Sequence, residues 1–300
     1  MSEPAAHPVS DAGAGFAAIL QRWRAGGRRS APIVMGIVNV TPDSFSDGGL
    51  FFDPDAAAAH GRALAAAGAG ILDIGGESTR KGATAISDEE ELRRVLPVIR
   101  ALAATGAVLS VDTMKAPVAA AALAAGAHVV NDIRGLQGDP GISEVAARHG
   151  AGVVVMHNPG LLGSATPLEG DVVALCLAFF ERSLEIARRA GIAEDRIVLD
   201  PGFGFGKSPE QNLEILTRFE ELGALGFPLL AGTSRKSFIG GVTGRDTPDR
   251  LIGTLVTNVA AAFAGAAIVR VHDVAEHVEA MRMAAAIRAA SSAAAHGTAA

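Results

Sequence analysis

Residues 108–132 read VLSVDTMKAPVAAAALAAGAHVVND, and this stretch decides the fold. Val108–Val111 is a short run of aliphatic and β-branched residues, closed by a carboxylate at Asp112. Residues 116–125 are rich in Ala and have helical length. His128–Asn131 is a second short apolar run, and it ends in an amide. Two strand-like runs joined by a helix-length crossover form one parallel repeat, because a parallel pair cannot be closed by a tight turn.

The same alternation extends in both directions. The other apolar runs are Ile33–Val40, Ile71–Ile74, Gly152–Met156, Arg196–Leu199, Phe227–Ala231 and Ala267–Val271. Helical stretches follow the runs near 54–68, 88–104, 116–125, 140–149, 171–190, 209–223, 248–265 and 273–290. Eight βα units predict an α/β protein built as a single (β/α)8 TIM barrel, for which about 250 residues is typical. An open doubly wound sheet is the alternative. Residues 1–30 read as an N-terminal extension with a short helix over Phe16–Ala25 packed outside the fold. Residues 31–290 read as the barrel and 291–300 as a flexible tail.

Composition narrows the function. The chain has 300 residues, 49% of them hydrophobic and 19% charged, which excludes a disordered protein. It carries 32 acidic and 26 basic residues, a net charge of −6, against the basic surface that nucleic-acid binding needs. With 12 Phe, 1 Trp and no Tyr, a base-stacking platform is not expected. The single Cys176 lies in an apolar helical stretch and reads as a small buried hydrophobe. No secretory pattern or membrane-length apolar run is visible, so a cytoplasmic protein without membrane contact is expected.

Polar residues collect at one end of the repeats. Asn39, Asp73, Asp112, Asn131, Asp200 and Arg270 close apolar runs, with His157 and Thr233 just beyond theirs. Any one of these alone reads as a helix cap. Together they mark the carboxyl rim, where barrel enzymes gather catalytic groups. Asn39 offers a neutral oxygen suited to a hard cation such as Mg2+, and the Ser/Asp/Gly loop after it has the composition of a mobile cover. Gly75, Gly76, Arg80 and Lys81 form a second loop with positive charge. The segment Asp200-Pro201-Gly202-Phe203-Gly204-Phe205-Gly206-Lys207-Ser208 nearly imitates a phosphate-cradling loop, but Pro201 stands where that pattern needs Gly. Its glycines also miss the dinucleotide spacing, so it reads as a glycine-rich loop after a shielded carboxylate. Ser234-Arg235-Lys236-Ser237 opens a short helix and reads as an anion site, and Arg270 and His272 share one face of an extended segment. The remaining histidines have no metal-site spacing. His157 is a candidate to line the site.

Taken in order, the segments MGIVNVTPDSFSDGG, ILDIGGESTR, SVDTMK, VVNDIRG, VVVMHN, LDPGFGFGKSPEQN, AGTSRKSFIGG and VRVHDVAEH resemble those of the dihydropteroate synthases, from about Ile33 to Arg288. The resemblance implies a (β/α)8 barrel, usually a homodimer. It would join a dihydropterin pyrophosphate to para-aminobenzoate with Mg2+ as cofactor, in folate biosynthesis, and would be a sulfonamide target. Asp112, Asn131, Asp200 and Lys236 match the family's pterin-pocket positions. Arg270 matches the residue that packs over the pterin and helps hold diphosphate, and His272 matches a diphosphate contact. Asn39 matches the position linked to Mg2+, and Asp47 lies on the first loop. Thr79 and Arg80 on the second loop, with Phe205 and Ser237, match the aminobenzoate side. Asp47, Asp112, Lys236 and Arg270 would carry catalysis, with Phe45 and Phe205 as minor walls. One departure stands out: the family's Pro after Ser-Thr-Arg is Lys81 here, which should free that loop and weaken aminobenzoate or sulfonamide binding. The rival readings are a pterin barrel presenting methyl-folate to a corrinoid protein, a binding-only paralogue and a phosphate-binding isomerase barrel. The first should lack the Ser-Arg-Lys-Ser and Arg-Val-His segments, both present here.

Overall fold

Short apolar runs separated by helices must bury both faces of every strand, and the computed structural model does so in a closed barrel rather than an open doubly wound sheet. It describes residues 13–27, 30–41, 53–78, 84–159 and 168–297. Eight parallel strands close into a barrel in chain order. They are β1 (Ile33–Asn39), β2 (Ile71–Gly75), β3 (Val108–Asp112), β4 (Val129–Asp132), β5 (Gly152–Met156), β6 (Ile197–Asp200), β7 (Leu229–Ala231) and β8 (Ala266–Val271). β8 returns to β1, with Gly36 opposite Val271. β2, β5 and β6 are buried along their whole length, as strands sandwiched between helices and a filled barrel must be.

The helices are α1 (Ala14–Gly26), α2 (Pro54–Ala66), α3 (Asp88–Leu102), α4 (Ala116–Ala124), α5 (Pro140–Arg148), α6 (Val172–Ala190), α7 (Pro209–Thr217), α8 (Ser237–Thr243), α9 (Leu251–Phe263) and α10 (Val274–Gly297). Local sequence fixes where several begin. Asp53, Asp139 and Asp171 accept backbone N–H groups at the starts of α2, α5 and α6. Ser208 and Gln211 form a reciprocal capping box at α7.

Alternation within each strand sorts the side chains. Leu72, Ile74, Leu109, Val111, Val153 and Val155 face outward and join the layer between sheet and helices. Met35, Ile71, Val108, Val129, Val154, Val198 and Ile268 fill the barrel's lower interior. The residue two further along on the same face is Asp73, Ser110, Asn131, Asp200 or Arg270 on five of those strands. The interior therefore changes from apolar to polar in one step up the barrel, which places the site at the carboxyl rim.

Two elements differ from the sequence expectation. α1 does not lie on the outside: it crosses the amino-terminal mouth, and its fully buried Phe16 and Leu20 complete the interior cluster. Burying the two contributes roughly 1.5–3 kcal/mol each. Gly13 N–H donates to Gly150 O at 2.8 Å, and Gly152 leaves room for the Phe16 ring, which a β-carbon there would overlap. At the other terminus the backbone stays helical past Ser291 to Gly297, because the Ala-rich end has high helix propensity. No described helix is long and apolar enough to cross a membrane.

Candidate active site

The rim is organised by one guanidinium. Arg270 Nε donates to Asp73 Oδ2 at 2.6 Å and Arg270 Nη2 to Asp112 Oδ2 at 2.8 Å. Asn131 Nδ2 donates to the same Asp73 oxygen at 3.0 Å. β2, β3, β4 and β8 are thus tied together across the barrel mouth. Asp73 is fully buried, and among the described residues its Oδ1, Asn131 Oδ1 and Ser110 Oγ find no hydrogen-bond partner. Buried oxygens left this way are costly, and each can accept a hydrogen bond from an N–H group.

The facing wall comes from β6 and β7. Asp200 Oδ1 accepts Gly202 N–H at 2.7 Å. Lys236 runs over Gly204, where a β-carbon would come within 2.9 Å of its Cδ, and its Nζ lies 4.0 Å from the Phe205 ring centroid. This distance is within cation–π range. Ser234 Oγ pairs with His272 Nδ1 at 2.9 Å and accepts the His272 backbone N–H at 3.2 Å.

Burial shapes the ionisation of these groups. It pushes the Asp112 carboxyl well up, with Arg270 opposing. It raises Asp200 to about 6, against the Gly202 N–H and Lys236. It lowers Lys236 to about 8, and the neighbouring Arg270 adds to that effect. The site thus holds carboxylates and an amine that titrate near neutrality, as functional sites do.

The structure brings Asp112, Asn131, Asp200, Lys236, Arg270 and His272 to one rim. Asn39 ends β1 beside Gly75, and exposed Ser237 begins α8. Asp47, Phe45, Thr79, Arg80 and Lys81 lie outside the described residues. Asp73, noted at a strand end but given no role from sequence, proves to be the hub. The period-two rule from Ile71 points to it. Arg235 leaves the expected anion site: with φ at 57° it turns to Asp273, pairing at 2.6 and 3.2 Å. His157 does not line the site. It is buried with Nδ1 at 3.1 Å from Cys176 Sγ, and burial lowers it to about 3. Burial raises Cys176 to about 11, an inert thiol.

No group of three or more His, Cys, Asp or Glu among the described residues has metal-cage spacing. Asn39 contributes one neutral hard oxygen. Among the described residues this donor type fits a hard divalent cation that takes its other ligands from elsewhere.

A family model described as pterin binding enzyme matches residues 35–272. The dihydropteroate synthase of Escherichia coli K12 is 48% identical over 258 residues, covering 85% of this chain and 91% of its own. The chain belongs to the dihydropteroate synthase family. Within this family the enzyme of Synechocystis is 47% identical over 246 residues, covering 80% of this chain and 85% of its own. The Xanthomonas albilineans dihydropteroate synthase solved with 4-aminobenzoic acid superposes with a TM-score of 0.82 at 49% identity, covering 87% of this chain and 94% of that one. The same organism's enzyme with 7,8-dihydropteroate gives 0.76 at 44% identity, with the same coverage. A member of this family is an enzyme, a transferase.

Proposed function

We propose that this transferase condenses 6-hydroxymethyl-7,8-dihydropterin pyrophosphate with para-aminobenzoate, giving 7,8-dihydropteroate and diphosphate. The observation that carries the reading is the Arg270 bridge between Asp73 and Asp112, set beside Asn131 and opposite Asp200. Carboxylates and amides with unfilled acceptors suit the N–H edge of a pterin. Asp112, Asn131, Asp200 and Lys236 would hold that ring, and Arg270 would lie over it.

The chemistry is SN1-like. The bond between the pterin methylene and the diphosphate oxygen breaks, and its electron pair leaves with the diphosphate. Arg270 and His272 face the growing negative charge. Electron density on the ring, supported by Asp112 and Asp200, and the carboxylate of Asp47 would offset the methylene's positive charge. The aniline nitrogen then forms the new bond and releases its proton to solvent. Thr79, Arg80, Phe205 and Ser237 would line the aminobenzoate side. Asn39 would hold Mg2+, which supplies charge neutralisation of the diphosphate when bound.

We also read the protein as a homodimer. The large apolar side chains exposed among the described residues are Leu213, Val242, Ile252, Val256, Phe263, Met283 and Ile287, and every one lies on α7 to α10. Exposed apolar side chains gathered on consecutive helices of the barrel's outside suit an isologous contact.

The test is an incubation with both substrates and Mg2+, following diphosphate release and dihydropteroate by mass spectrometry. Product that forms with Mg2+ and stops on chelation supports the reading. Pterin binding without diphosphate release would favour the binding-only paralogue.

A further inference from the structure

The connection from β6 to α7 is built around a lysine. Gly202, Gly204 and Gly206 have φ of 68°, 78° and 61°, a conformation that residues with a β-carbon rarely adopt. These turns bring carbonyls inward. Lys207 Nζ donates to Gly202 O at 3.0 Å, Phe205 O at 3.1 Å and His157 O at 3.2 Å. An ammonium has three N–H donors, and all three are used. None of the acceptors is a carboxylate, and burial lowers this lysine to about 8. A buried charge whose hydrogen bonds all end on carbonyls, with Asp200 attracting it only from beyond hydrogen-bond distance, is a poor device for stability, which an apolar side chain would serve better. It is a good device for shape, because one atom fixes three backbone positions.

The same connection is held from two other sides. Gly202 N–H donates to Asp200 Oδ1 and Gly204 N–H to Asn212 Oδ1, both at 2.7 Å. Phe205 lies between these ties, with its ring beneath Lys236.

We propose that Lys207 is a positioning residue for the second substrate: its ammonium fixes the curve of the β6–α7 connection and so sets where Phe205 stands against Lys236. The proposal rests on the reading that Phe205 borders aminobenzoate.

The experiment uses the full-length enzyme and compares wild type with Lys207→Met, Phe205→Ala and the double variant, each checked for folding by circular dichroism. The aminobenzoate KM of Lys207→Met is expected to rise about tenfold, the scale of a misplaced binding wall. The double variant is expected to stay within about twofold of Phe205→Ala, because the lysine acts through the ring. If Lys207→Met fails to fold, Lys207→Arg serves: its planar fork cannot feed three carbonyls from one atom, and a rise of about threefold is expected. An aminobenzoate KM within twofold of wild type in a folded Lys207 variant overturns the proposal. So does a double variant whose rise is the product of the two single rises. A lysine that only stabilised the fold would lower the melting temperature and the active fraction while leaving that KM unchanged. Wild type without turnover would instead count against the proposed reaction.

Discussion

Replacing Asp200 by Asn is expected to remove pterin binding and, at the same time, to make the folded chain more stable. Asp200 is only 4% exposed at the end of β6. Burial raises its carboxyl from 3.8 to about 6, even against the Gly202 N–H, Lys236, Arg270 and Lys207. That gap of about two pH units, at about 1.36 kcal/mol each, corresponds to roughly 3 kcal/mol. The folded chain holds this proton more tightly than the unfolded chain. The group's contribution to stability is therefore full below about pH 4 and is lost as the pH rises through about 6. At pH 8 the ionised, buried carboxylate works against folding. Asparagine has the same shape, keeps an oxygen for the Gly202 N–H and carries no charge. Asp200→Asn should exceed wild type by about 1–3 kcal/mol at pH 8, or roughly 2–6 °C in melting temperature for a chain this long. The difference should vanish near pH 4. Thermal or urea melts from pH 4 to 8 measure it, alongside calorimetric titration with a pterin. A variant that melts at or below wild type at pH 8, or that keeps full pterin affinity, refutes the reasoning.

Three further outcomes follow from the same geometry. Asp73→Asn removes the charged partner of Arg270 Nε, so kcat/KM should fall on the order of 100-fold with little change in melting temperature; steady-state kinetics and a melt report both. Gly152→Ala forces the Phe16 ring away from the barrel mouth and should cost about 1–3 kcal/mol in a urea melt, with both KM values of the folded enzyme unchanged. Val256→Glu with Ile252→Glu puts two charges on the exposed face of α9, and light scattering should show a dimer giving way to a monomer.

The fold was legible because each repeat of the sequence carries both periods. The run Val108–Val111 and the Ala-rich stretch after it define strand and crossover without reference to any distant residue. The position of α1 was not legible in this way, since two apolar residues on a short helix do not say which surface they cover. That depends on Gly152 and Gly150, far along the chain, leaving space and a carbonyl for it. The rim residues were readable because alternation makes a polar residue at a strand end unusual. Arg235 departs from the expectation for a related reason: a basic residue beside a helix start looks like an anion ligand, and only the left-handed backbone at that residue turns it to Asp273. Lys207 and Asn212 carried no signal beyond their types. Their work is to hold carbonyls and amides of a loop whose path is not visible in sequence.

Arg270 shows how the resting site bears on the proposed reaction. In the free chain its two donor arms are both taken, one by Asp73 and one by Asp112. Asp112 is also the carboxylate proposed to read the pterin, so ring and guanidinium would compete for one carboxylate. The Nε bond to fully buried Asp73 is the shorter of the two, and Asp73 has no other charged partner among the described contacts. A pterin that takes Asp112 would displace the Nη2 arm and leave the Nε arm in place. The released arm would then be free on the side of His272, where the diphosphate is proposed to sit. Ring binding would thus prepare the group that meets the leaving charge. It would do so without building a new cation site, since the same guanidinium neutralises Asp112 before the substrate arrives and the diphosphate afterwards.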